Sequence, residues 1–205
     1  MQITQARLRE IVLEELDRLR EQDDDAPEAG DSAEVQVVDV EPGEEPAEAG
    51  GILEDSLKAY AASLRALQLW THSAHNLTKG TGFVGDHIEL FGNFYPKFQD
   101  DYDTTIEKTI SLTGDEMVGC PIHVTERALE IIRKYPSPAG AGEKEILEAG
   151  LKMIQDHYDL LTDTYGKLED AGQLPLGLDD FLAASADDYD KFVYLLQQRL
   201  KGAAE

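Results

Sequence analysis

The chain has 205 residues, 41% hydrophobic and 29% charged, enough for one good core with appendages. Its 18 Lys and Arg stand against 42 Asp and Glu, a net charge of −24 that argues against binding nucleic acid through its phosphates. Apolar runs are too short to span a membrane, and the N-terminus lacks the basic-then-apolar order of a signal peptide. A single cysteine, Cys120, cannot form an intrachain disulfide, and a cytoplasmic protein is the expectation.

Residues 1–21 carry Ile3, Leu8, Ile11, Val12, Leu16 and Leu19 at helical spacing, which predicts a short amphipathic helix. Alone in water such a helix is marginal and needs a surface for its apolar stripe. Residues 22–52 hold eleven acidic residues, no Lys or Arg, three prolines and four glycines. That composition cannot bury enough surface to offset its ordering entropy, so it predicts a disordered acidic linker. Its one apolar island, Val35 to Val40, reads as linker too, with a short strand or docking motif as the alternative.

From residue 53 the pattern becomes globular and helical. A first long helix is expected from Asp55 or Ser56, as N-cap, to Leu77, ended by Lys79-Gly80-Thr81-Gly82. A second runs from Asp86 to about Leu112. Gly114, Gly119 and Pro121 lead to a short helix over Val124 to Tyr135, and Pro136, Pro138, Gly140 and Gly142 break the chain again. Two further helices, Glu143 to Ala171 and Asp179 to Lys201, complete an all-α four-helix bundle with a short extra helix between its second and third members.

Chemistry concentrates in the first two helices. His72 and His75 share a helix face at i and i+3, and His87 opens the next helix. Asp103 and Glu107, at i and i+4, project from one side of that second helix. Imidazoles with carboxylates suit Fe(II), which must become a hard ferric ion. In a chain one fifth acidic, however, a D-x-x-x-E pair also arises on ordinary solvated faces. Cys120 reads as a packed thiol, and His123 and His157 as structural or exposed residues. No E-x-x-H pair occurs, so a di-iron site built within one chain from such pairs is not expected.

The stretch Leu67-Gln-Leu-Trp-Thr-His-Ser-Ala-His75-Asn-Leu-Thr-Lys-Gly80, then Phe83, His87, Glu89-Leu-Phe91, Tyr95, Asp103 and Ile106-Glu107-Lys108, resembles the mini-ferritin (Dps) family of the ferritin-like superfamily. The segments Gly119 to Thr125, Leu174 to Leu182 and Asp190 to Leu196 are similar to that family's short helix and last helix, so the resemblance covers about residues 53–201. It implies a ferritin-like domain over 53–205. His75 and His87 would come from one subunit and Asp103 and Glu107 from its two-fold mate, with His72 and Glu89 as additional candidate ligands. One or two Fe(II) would be oxidised between them, peroxide being the expected oxidant, with no organic cofactor. The ferric mineral would be stored in a homo-oligomeric shell of about twelve copies, as a defence against oxidative stress.

This chain departs from the family pattern at four places. Fifteen residues separate His87 from Asp103 where the family usually has fourteen, which turns a helix face by about 100°. A bulge around Gly92 to Pro96 is the expected remedy, because Pro96 cannot donate to the carbonyl of Gly92. Asn76 stands where an aromatic residue is usual, and Phe91 where an auxiliary acid is usual. The family's basic DNA-binding tail is replaced by the acidic linker and leading helix, so the expected partners are other copies and a protein docked on residues 1–21, without nucleic acid or membrane. The alternative is a non-catalytic ferritin-like scaffold that acts through that N-terminal helix.

Overall fold

The computed structural model describes residues 49–202; the expected leading helix and most of the acidic linker lie outside the described residues. Five α-helices follow: α1 (Ala49–Leu77), α2 (Gly92–Thr113), α3 (Pro121–Ile132), α4 (Glu143–Asp170) and α5 (Leu176–Gly202). A π-helical turn over Gly85–Phe91 runs directly into α2, and a 3-10 turn over Glu116–Gly119 leads into α3. The described residues contain no strand. No helix among them is long and apolar enough to cross a membrane.

α1 and α2 form one hairpin and α4 and α5 the other, with α3 on the crossover packed against α1. One long crossover between two helical hairpins is the ferritin-like connection. Leu57, Tyr60, Leu64 and Leu67 repeat at helical spacing on α1 and are fully buried. They meet Phe94 and Phe98 of α2, Ile154 and Leu161 of α4, and Leu182 and Tyr189 of α5 in one core.

Two boundaries differ from the sequence reading. α1 begins at Ala49, so Asp55 and Ser56 lie inside the helix instead of capping it. Packing of Leu53 against the core and the Glu54–Lys58 pair one turn apart reward helix upstream of those polar residues. The short helix starts at Pro121 and ends at Ile132, a turn earlier than expected. Proline at the first helical position loses no bond, because that N–H has no intrahelical acceptor.

The bundle interior is partly polar. His157 of α4 is 1% exposed, stacks on Tyr60 at 5.1 Å and shares a 2.8 Å hydrogen bond between Nδ1 and Ser63 Oγ. Burial holds this imidazole neutral, pulling its pKa down from 6.5 to about 3. The unfolded chain therefore binds the extra proton first as pH falls. Stability from this residue is complete above about pH 6.5 and is lost towards pH 3, by about 2–3 kcal/mol at pH 4.5. Urea titrations should show that slope in the native sequence, and His157→Gln should flatten it.

Candidate metal centre

His75 sits in the last turn of α1 and His87 in the π-turn, separated by the loop that reverses the chain. Their rings stack at 3.8 Å between centroids, 16° from parallel. Each Nδ1 lies 2.7 Å from the backbone carbonyl oxygen of the other histidine. A carbonyl oxygen can only accept, so both Nδ1 atoms must donate. In each neutral ring the lone pair is then on Nε2, the atom left to bind a metal. Reciprocal backbone bonds that fix tautomer and orientation are the usual support of a metal-ligating imidazole.

Aromatic rings flank the pair on both sides, Phe83 stacked and Tyr95 tilted. Phe83 lies 5.1 Å from the His87 ring, and Tyr95 lies 5.2 Å from His75. His72 stacks on Tyr95 at 4.4 Å and stands 6.4 Å from His75, so it borders the pair. Tyr95 supplies the aromatic contact that Asn76 does not. Phe91, at the position where an acid is usual, is fully buried against Trp70 and Phe94.

The π-turn that carries His87 is clamped through the preceding residue, Asp86. Asp86 is completely buried and accepts two hydrogen bonds from Arg199 of α5, at 2.8 and 3.2 Å. Arg199 also pairs with Glu143 at the start of α4, and Glu143 accepts from the Gly82 N–H at 3.2 Å. Burial pushes the Asp86 carboxyl above its usual range despite Arg199, which pulls it down. Sequence reasoning missed this triad, since 113 residues separate Asp86 from its partner.

Asp103 and Glu107 are both exposed on α2. Asp103 is sixteen positions beyond His87, roughly 24 Å of helix at 1.5 Å per residue. Metal bonds to these donors are about 2 Å, so one chain cannot close all four around an ion. Accordingly, no group of three or more His, Cys, Asp or Glu that could hold a metal occurs among the described residues. Glu89 is exposed, with its backbone carbonyl accepting from Asn93. His123 is exposed and Cys120 half-buried, neither near the histidine pair in sequence.

A bulge is present, but over Gly85–Phe91 and not around Gly92 to Pro96 where it is expected. The helix from Gly85 to Phe91 is π, which inserts one residue into an α-helix, and α geometry resumes at Gly92. His87 is inside the bulge and not upstream of it. Leu77, Phe83, Val84 and Ile88 surround the histidines in sequence and are all large and exposed, at 40%, 43%, 66% and 54%.

This bundle of two helical hairpins joined through one crossover helix has a ferritin-like fold of the Dps type. The chain is similar to the Dps of Microbacterium arborescens in its high iron form, with a TM-score of 0.60 and 21% identity over 77% of this chain and 97% of that one. It is similar also to the Dps protein of Vibrio cholerae O1, described as a member of a broad superfamily of ferritin-like diiron-carboxylate proteins (TM-score 0.62, 16% identity, 74% of this chain and 91% of that one). A Mycobacterium smegmatis Dps matches with a TM-score of 0.62 and 20% identity over 74% and 87% of the two chains. No protein-family model and no curated protein matches the chain. The described residues therefore have the Dps fold.

Proposed function

We propose that this protein oxidises Fe(II) at a site shared between two copies and stores the ferric product inside a shell, without binding DNA. The observation that carries this reading is the histidine pair, with both Nε2 atoms left free by reciprocal Nδ1 bonds, in a segment that also carries exposed apolar side chains. A second copy that covers Leu77, Phe83, Val84 and Ile88 would bring Asp103 and Glu107 to His75 and His87. Two imidazoles and two carboxylates suit Fe(II) as substrate, and the carboxylates hold the harder Fe(III) that forms. With peroxide, two Fe(II) and two protons give two Fe(III) and two water molecules. Both electrons needed by the O–O bond come from iron, so no hydroxyl radical is released. A charge of −24 per copy draws Fe(II) towards the shell and repels nucleic acid.

Fe(II) oxidation by the purified protein, followed with peroxide and with air, tests the reading. The expected result is a peroxide reaction well above buffer and faster than the reaction in air. A rate equal to buffer with peroxide would favour the non-catalytic scaffold instead.

Assembly is testable by itself. Ile88→Asp places a charge in the apolar face and should yield monomers by light scattering where the native chain forms oligomers. Because every copy is strongly acidic, native assembly should tighten with salt or divalent cations.

A further inference from the structure

We infer that Gly92 is a positioning residue for the histidine pair, and that the π-turn it closes is the device that delivers the His87 carbonyl to His75. The inference deepens the proposed metal site and rests on the reading of His75 and His87 as ligands. A Cβ added at Gly92 would lie 2.6 Å from the His87 carbonyl oxygen and 3.6 Å from His75 Nδ1. The first distance is one that real side chains do not adopt. The atom in the way is backbone, not the end of a flexible side chain, so relief requires moving that carbonyl. The same carbonyl accepts the His75 Nδ1–H at 2.7 Å. Any residue larger than glycine at position 92 therefore displaces the acceptor that sets the tautomer and aim of His75.

Neither backbone conformation nor helix propensity explains this glycine. Gly92 has φ −62° and ψ −26°, values every residue adopts. In an ordinary helix, alanine in place of glycine stabilises. Pro96 accounts for the position of the junction. Its ring crowds the carbonyl four residues back, which belongs to Gly92, and it has no N–H to offer that carbonyl. The helix thus passes from π to α geometry where a residue without Cβ meets a carbonyl without a donor. The residue that π geometry adds is put to use in this way: it brings the His87 backbone against the His75 ring.

The test reads tautomers by 15N–13C NMR on metal-free protein labelled at histidine, with His75→Gln and His87→Gln for assignment. The native protein should show both neutral rings as the Nδ1–H form. Gly92→Ala should shift His75 towards the Nε2–H form and weaken Co(II) binding about tenfold or more, the usual effect of losing a ligand's supporting bond. An Asn93→Ala control should change neither. Retention of the Nδ1–H form and of native Co(II) affinity in Gly92→Ala overturns the inference. If Gly92→Ala does not fold, the native tautomers decide, and an Nε2–H form at either ring overturns it. These readouts need no iron chemistry. Locked rings in a protein that oxidises no Fe(II) would contradict the ferroxidase reading and leave the role of Gly92 standing.

Discussion

Asp103→Ala/Glu107→Ala is expected to bring peroxide-driven Fe(II) oxidation down to the rate of buffer, a loss of roughly 100-fold or more. Both side chains are exposed on α2, so neither contributes to the core and the double variant should unfold at the native temperature. The assembled shell should persist by light scattering, which separates loss of chemistry from loss of structure. His75→Ala/His87→Ala should lose the same activity from the other side of the interface. A double carboxylate variant that oxidises Fe(II) at the native rate would remove these residues from the site.

Arg199→Met should be among the most destabilising single changes in the bundle, costing about 3–5 kcal/mol in urea unfolding. Asp86 has no exposed surface, and its two hydrogen bonds from Arg199 compensate its charge. Removing the guanidinium leaves a carboxylate in a site where burial already disfavours it. Asp86→Asn should cost less, because the remaining Arg199 reaches solvent and keeps Glu143. Changing both residues to apolar ones should recover part of the loss, since no buried charge then remains. The clamp also holds Gly82, where a Cβ would run into the guanidinium, and the residue next to His87. Arg199→Met should therefore weaken metal binding as well, beyond what the stability loss alone explains. A loss below 1 kcal/mol would mean that water reaches Asp86 in solution.

The helices were legible because their apolar residues repeat cleanly: Leu57, Tyr60, Leu64 and Leu67 mark α1 without help from any partner. Helix starts were less so, since capping residues such as Asp55 and Ser56 also occur inside helices when burial outweighs local preference. At the candidate site, the family resemblance singled out His75 and His87 from the three clustered histidines, and its usual spacing implied a bulge between His87 and Asp103. The bulge could not be placed to the turn, because Pro96 constrains only the carbonyl behind it and the π geometry spreads upstream through His87. The Asp86–Arg199–Glu143 clamp and the contact of Gly92 with the His87 carbonyl left no local pattern. The clamp joins residues that meet only when the two hairpins pack together, and the Gly92 contact exists only in π geometry, which no residue pattern announces.

The central claim, a site built from two copies, is tested most directly by mixing two inactive variants. His75→Ala/His87→Ala and Asp103→Ala/Glu107→Ala would be dissociated, combined in equal amounts and reassembled. In a two-fold pair containing one of each, one of the two sites keeps native histidines from one copy and native carboxylates from the other. Random pairing then restores about a quarter of native Fe(II) oxidation by peroxide, where each variant alone has none. Mixed shells as inactive as their components, with assembly intact, would contradict the shared site.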